Sequence, residues 1–395
     1  MGVSRKLKQQ MEKGGWIRKM FEEGIALKQQ YGERNVFDLT LGNPVMEPPE
    51  EFHRELRRWV ESPTPGLHRY MPNAGYPETR ASVAEHLSLE TGLPFTANEV
   101  VMTCGAAGAL NVVLKSILEA GDEVVIFSPF FAEYIYYIDN AQGVPRIVPT
   151  GERFIPDVKA LEENIAPNTM AVLLNYPNNP TGAVYSNDVL QGIGKVLAKK
   201  EAEYGSEIFL INDDIYRKLV YDGVECPQVF QYHNKSIIAT SYSKDLAVPG
   251  ERIGYIAVNP RYEERNELVN GLVFCNRVLG FVNAPALMQN VVRALQDASV
   301  DIGEYQRKRD LLYNALVEMG YSVVKPQGAF YIFPASPVED DEAFVRELQK
   351  HKVLVVPGKG FGAPGYFRIS YCVDDWVIEG SLRGFREAAS AFGLR

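Results

Sequence analysis

The segment with the most chemical potential reads Ser241-Tyr242-Ser243-Lys244-Asp245-Leu246-Ala247-Val248-Pro249-Gly250-Glu251-Arg252-Ile253-Gly254-Tyr255. A lysine amine that is desolvated or placed near other cations is partly neutral, and a neutral amine attacks carbonyl carbon to form an imine. Lys244 follows a β-rich run, has the hydroxyls of Ser241 and Ser243 close by, and precedes Arg252. The planar guanidinium fork binds phosphate oxygens, so this pattern suits an imine-forming amine beside a phosphate clamp. A second anion site is expected at Thr103-Cys104-Gly105-Ala106-Ala107-Gly108-Ala109-Leu110. Small residues there follow a strand and open a helix, whose first N–H groups favour phosphate. The same residues would also serve simply to pack helix on sheet. They match neither the dinucleotide fingerprint nor a P-loop.

Two further segments follow buried strand candidates. Asn175-Tyr176-Pro177-Asn178-Asn179-Pro180-Thr181-Gly182 is a dense Asn/Pro turn that would aim an amide from a rigid platform. Ile211-Asn212-Asp213-Asp214-Ile215-Tyr216 places paired carboxylates at a strand end, with Tyr216 three residues after Asp213. Such a pair could bind Mg²⁺ or merely be solvated. The five histidines, at 53, 68, 86, 233 and 351, lie far from it in sequence, so no metal cluster is expected.

These segments need a scaffold. Apolar runs of strand length recur at 99–103, 123–127, 170–174, 208–211, 237–240 and 253–258, with helical spacing between them at 106–118 and 187–200. That alternation predicts an α/β fold with a mainly parallel central sheet flanked by helices. The chemical segments all follow strands, at the carboxyl edge where open α/β sheets collect ligands. From residue 286 the pattern changes to helical spacing over 286–316, then short strands near 328–333 and 353–356. The expected division is an N-terminal arm and part of a small domain at 1–49, a large domain at 50–285 and a small α+β domain at 286–395.

Composition narrows the class. The 395 residues carry 41 Lys and Arg against 50 Asp and Glu, a net charge of −9, which argues against a nucleic-acid footprint. Cys104, Cys226, Cys275 and Cys372 are widely spaced and form no CxxC pair, so neither zinc nor a disulfide framework is indicated and a reducing setting fits. The N-terminus lacks the apolar stretch of a secretory signal and no run of about 18 apolar residues appears, so a cytoplasmic protein without membrane association is expected. Asn234-Lys235-Ser236 matches a glycosylation acceptor only by pattern.

The ordered motifs GAAGAL, NYPNNPTG, DDIY and SYSKDLAVPGERIGY resemble those of the fold-type I pyridoxal-phosphate aminotransferases of classes I and II, of the aspartate-aminotransferase-like kind. LGNP at 41–44, RYMPNAGYPETR at 69–80, QGAFYIF at 327–333 and YFRISY at 366–371 extend the likeness from about residue 16 to the end. The resemblance implies pyridoxal 5′-phosphate as cofactor and a ping-pong exchange of an amino group between an L-amino acid and a 2-oxo acid. It implies Lys244 as the imine-forming and proton-moving residue, Asp213 as partner of the protonated ring nitrogen, and Asn179 and Tyr216 as partners of the ring's phenolic oxygen. Phe131 would stack on the ring where many relatives have Tyr or Trp. Gly105, Ala106, Ala107, Ser241, Ser243 and Arg252 would hold the phosphate, with Tyr70 reaching over from a second subunit of a homodimer. Arg368, with Gly42, Asn179 and Asn283, would take the substrate carboxylate. Arg277 stands near the place where one subgroup carries a second arginine for dicarboxylates, one residue out of step; it could serve there or be an ordinary helix-surface charge, so the donor leans toward aspartate or glutamate with aromatic and aliphatic amino acids open. Other chemistry with the same cofactor, such as a carbon–sulfur β-lyase, is the alternative. A regulatory module fused to a DNA-binding domain has no room in the chain, and a nicotinamide dehydrogenase lacks its glycine fingerprint.

Overall fold

The computed structural model describes residues 2–13, 16–62 and 64–394. Its centre is a seven-stranded sheet in the spatial order Val100–Thr103, Gly254–Val258, Ser236–Ser241, Phe209–Asp213, Thr169–Asn175, Glu123–Ser128, Val144–Pro149. Gly254–Val258 runs antiparallel to both of its neighbours and the remaining pairs are parallel, as expected for a mainly parallel sheet.

The strands are apolar at nearly every position because both faces are covered. Val100, Met102, Val125, Val172, Leu210 and Ile238 point into one core. Their sequence neighbours Val101, Val124, Ala171, Ile211 and Ile237 point into the other. Helices Pro77–Thr91, Asn187–Tyr204 and Ala286–Val292 cover the first face, and Gly105–Ile117 and Arg265–Val278 the second.

A third core joins the two ends of the chain. Met20 and Leu39 pack with Leu312, Phe330, Phe344, Phe367 and Phe385. Strand Phe37–Asp38 pairs in parallel with Val353–Leu354, and Val356–Pro357, Phe367–Ser370 and Tyr331–Ile332 form a small antiparallel sheet. Tyr216, Leu219 and Tyr221 reach into this core from beyond the large sheet.

Two elements depart from the sequence pattern. The helical spacing over 286–316 resolves into Ala286–Val292 and Ile302–Glu318. Between them, backbone groups leave the helical ladder for outside partners: Lys218 Nζ donates to the Ala298 carbonyl at 3.0 Å, and Val300 N–H donates to the Asp245 carbonyl at 2.7 Å. Asp301 then caps the new helix by accepting from Gly303 N–H at 2.9 Å. The edge strand Val144–Pro149 was not visible in the pattern, because its two prolines and half-exposed Val144 and Ile147 read as loop; an edge position tolerates both.

Candidate active site

Parallel strands deliver their carboxyl ends to one edge of the sheet, and the site is built there. Thr103 leads into Gly105, Ser128 leads to Phe131, Asn175 to Asn179, Asp213 to Tyr216, and Ser241 to Lys244, while Arg252 enters from the start of the antiparallel strand. Gly42, Phe131, Asn179, Asp213, Tyr216, Lys244 and Arg368 line a single cavity of about 240 Å³. Leu41, Tyr134, Asn175, Ile215 and Tyr331 complete its wall.

Asp213 is buried, and burial pushes its carboxyl up to about 7, against the lowering effects of a hydrogen bond from Tyr134 and the charge of Lys244. Tyr134 donates its hydroxyl to Asp213 Oδ2 at 2.6 Å, whereas Oδ1 is buried without a partner. Asn175 braces this strand end. Its Nδ2 donates to the Asp213 carbonyl at 2.9 Å and its Oδ1 accepts from Asn179 N–H at 2.8 Å. Within the Asn/Pro turn, Asn178 Oδ1 accepts from both N–H and Oγ1 of Thr181, at 3.1 and 2.8 Å, which closes the turn on itself.

Lys244 donates to the Gly42 carbonyl at 2.6 Å and lies 5.3 Å from the centroid of the Phe330 ring. Burial lowers its amine to about 8, and the Arg368 and Arg252 guanidiniums act in the same direction. At pH 7 such an amine is roughly one-tenth neutral, far more than an ordinary lysine, and the neutral form is the nucleophile. Gly42 lets the Tyr331 ring come close: a Cβ there would lie 1.8 Å from the Tyr331 hydroxyl, so that ring would have to move.

Arg368, on strand Phe367–Ser370, is 2% exposed. It donates to Asn179 Oδ1 at 2.9 Å and to the Thr40 carbonyl at 2.6 Å, and is sandwiched by the rings of Tyr331 (4.6 Å) and Phe361 (4.7 Å). Its Nε is buried without a partner, and the acidic groups among the described residues that act on its charge are Tyr331, Tyr216 and Cys372, none of them a carboxylate. Tyr216 and Tyr331 share a hydroxyl–hydroxyl hydrogen bond of 3.0 Å. Burial raises both phenols, so both stay protonated donors.

Arg252, whose charge acts on Lys244, meets the start of a helix. Helix Gly105–Ile117 presents its first N–H groups, and Arg252 crosses to donate to the Cys104 carbonyl at 3.3 Å and the Pro249 carbonyl at 3.0 Å. Gly105 has φ +73°, and a Cβ on it would sit 2.7 Å from Arg252 Nη2. Arg252 itself adopts φ 52°, a strained backbone of the kind that persists at ligand sites. Ala106 and Ala107 continue the helix start, and Ser241 and Ser243, both buried, occupy the turn that ends in Lys244.

Tyr70 and Asn283 are not in the Lys244 cavity. They line a separate, open depression of about 370 Å³ with His68, Met71 and Phe281, where Tyr70 is 92% exposed and Asn283 donates to the Pro72 carbonyl at 3.0 Å. Arg277 lies 5.3 Å over the Phe274 ring on the exposed end of its helix, also outside the cavity. Conversely, Tyr134, Asn175, Tyr331 and Thr40 were passed over in the sequence. Asn175 and Tyr331 stand inside the motifs NYPNNPTG and QGAFYIF, and Tyr134 is one helical turn beyond Phe131, so their signal was proximity to residues already singled out.

This fold sets a desolvated lysine amine, a buried carboxylate and a buried arginine around one cavity at the ligand edge of the sheet. The chain belongs to the aminotransferase class I and II family, whose model matches residues 34–382. It is 30% identical over 360 residues to a probable aspartate aminotransferase of Methanocaldococcus jannaschii, covering 89% of this chain and 92% of the relative. It is 32% identical over 360 residues to an aspartate/prephenate aminotransferase of Thermus thermophilus, covering 88% and 89%. A crystal structure of an aminotransferase from Eubacterium rectale superposes with a TM-score of 0.96 at 37% identity over 100% of both chains. The protein is an aminotransferase enzyme, and of the chemistries that the motifs left open, amino transfer is the one its relatives share.

Proposed function

We propose that the cavity holds pyridoxal 5′-phosphate and exchanges an amino group between an L-amino acid, of the aspartate or glutamate class, and a 2-oxo acid. The observation that carries this reading is three residues lining one cavity: Asp213 and Arg368, whose Oδ1 and Nε are buried without partners, and Lys244, whose amine is lowered to about 8. Asp213 would hold the ring nitrogen, Tyr216 and the amide N–H of Asn179 the phenolic oxygen, Phe131 the ring face, and the Gly105–Ala107 turn with Ser241, Ser243 and Arg252 the phosphate. When bound, the cofactor supplies an electron sink for the bond broken at the substrate α-carbon. Lys244 moves the proton at that carbon, and Arg368 orients the carboxylate with its planar fork. The aspartate names of two relatives support the donor class.

The assembly we propose is a homodimer in which Tyr70, and Asn283 beside it, serve the partner's site. Exposed Tyr70 at this open depression, with Phe274, Val278 and Leu279 exposed at the end of helix Arg265–Val278, supports it. The division into an arm at 1–49, a large domain at 50–285 and a small domain at 286–395 is proposed with it, with the refinement that helix Ala286–Val292 packs on the large sheet. Four free thiols support a reducing, cytoplasmic setting.

The test is the visible spectrum of the purified protein titrated with single amino acids and no oxo acid. Conversion of the cofactor band by aspartate or glutamate is expected, and conversion only by aromatic or aliphatic donors would overturn the donor class. Absence of any band after pyridoxal phosphate is supplied would overturn the cofactor. Lys244→Ala should retain cofactor and lose about 10²- to 10⁴-fold in turnover, the range of a lost proton-transfer group.

A further inference from the structure

A buried guanidinium is aimed by acceptors that are themselves held; Asn179 supplies one for Arg368, and a short segment near the start of the chain supplies the other. The Thr40 carbonyl accepts from Arg368 Nη2 at 2.6 Å, and the Gly42 carbonyl, two residues on, accepts from Lys244 Nζ at 2.6 Å. Both cations that line the cavity therefore donate to residues 40–42.

Strand pairing does not hold this segment. Leu39 N–H donates to the Leu354 carbonyl and the Leu39 carbonyl accepts from Ser370 N–H, each at 2.9 Å, and the next backbone-to-backbone bond along the segment is Val45 N–H to the Cys372 carbonyl at 3.3 Å. In the gap, the Cys372 thiol donates to the Leu41 carbonyl at 3.7 Å, and the Asp38 side chain is the charged anchor. Its Oδ1 accepts from both Thr40 N–H (3.2 Å) and Thr40 Oγ1 (2.6 Å), while Oδ2 accepts from Lys28 Nζ at 2.9 Å. Lys28 lies in the last turn of helix Trp16–Tyr31, and Gly24 of that helix approaches so closely that a Cβ would sit 3.3 Å from Asp38 Oδ2. The pair is partly shielded, with 14% of the Asp38 side chain and 34% of the Lys28 side chain exposed, so solvent screens it less than a surface pair.

We propose that Asp38, held by Lys28, is a positioning residue for the substrate-carboxylate receptor: it fixes the turn whose carbonyls aim Arg368 and Lys244, and it controls substrate affinity without touching substrate. The inference rests on Arg368 being that receptor. It makes the helix Trp16–Tyr31 part of the binding apparatus, through a chain of contacts from Lys28 to Asp38 to Thr40 to Arg368.

The experiment uses the full-length holoenzyme with Asp38→Ala, Asp38→Asn, Lys28→Met and Arg368→Lys. It measures kcat and KM for the best donor, and the dissociation constant of that donor's α-methyl analogue, which has no α-hydrogen and does not turn over. Loss of hydrogen bonds that act on a charged group predicts a rise of about tenfold in KM and in the analogue constant for Asp38→Ala, with kcat within about threefold. Asp38→Asn keeps an acceptor oxygen for Thr40 and should recover most of the affinity, and Lys28→Met should give an intermediate rise of about threefold. Unchanged analogue binding in Asp38→Ala would overturn the proposal. So would a parallel loss of cofactor affinity and Tm with no recovery in Asp38→Asn, which marks a merely structural role. If Asp38→Ala does not fold, Lys28→Met and Asp38→Asn decide the matter. Arg368→Lys separates the two readings: if it leaves analogue binding unchanged, Arg368 is not the receptor; if it weakens binding while the Asp38 and Lys28 variants do not, only the positioning role fails.

Discussion

Asp213 and Tyr134 form the pair on which the chemistry at the ring nitrogen would depend. The Tyr134 hydroxyl lowers a carboxyl that burial raises, and so favours the anion that must face a protonated ring. Tyr134→Phe should cut kcat by about tenfold with a small change in KM, because the lost hydrogen bond to a charged group acts on the reacting electron sink; steady-state kinetics checks it. The same carboxyl makes a stability prediction for the cofactor-free protein. A carboxyl raised from 3.8 to about 7 contributes stability below about pH 4, and that contribution is lost as pH rises to about 7. Cofactor-free wild type should therefore lose Tm relative to Asp213→Asn by a few degrees across that window, and pyridoxal phosphate should shrink the difference; thermal melts at several pH values measure it. At this scale much was legible, because Lys244, Asp213 and Arg368 are reactive types inside distinctive segments. Tyr134 was not: a tyrosine on a short helix carries no sign of the carboxylate it will meet, 79 residues away.

The elements matter through where they stop. Each parallel strand ends at the same edge, so side chains from distant segments converge without a linking motif. The turn before helix Gly105–Ile117 is the most exacting of these ends, since Gly105 combines a positive φ with close approach to Arg252. Gly105→Ala should raise the pyridoxal-phosphate dissociation constant by about tenfold or more, with a smaller loss of Tm, because the Cβ strains the turn and displaces the guanidinium from the helix start; a cofactor titration of the stripped protein reads this directly. Periodicity revealed the buried strands and not the edge strand Val144–Pro149, since a strand shows an apolar pattern only to the extent that it is covered. It also merged two helices across 293–301, because the break is made by Lys218 and Asp245, residues from other parts of the chain.

At the scale of the molecule, the proposed dimer makes a test that no single-chain reading makes. If Tyr70 serves the partner's site, mixing Tyr70→Ala with Lys244→Ala chains should create hybrid dimers with one intact site, restoring about a quarter of wild-type activity after random exchange of equal amounts. Activity that stays at the sum of the separate variants would exclude the shared site. The third core explains why residues at both ends of the chain belong to one site: Leu39 and Phe367 pack together, which brings Thr40 against Arg368, 328 positions apart. The sequence by itself determined the class of fold, the ligand edge of the sheet and the family, because these follow from local periodicity and from residue types in contiguous motifs. Only the tertiary structure decided which acceptors hold Arg368 and Lys244, that Tyr134 meets Asp213, and that Tyr70 and Asn283 lie apart from the cavity. Those are distances between segments remote in sequence, and packing of whole elements, which no local pattern encodes, sets them.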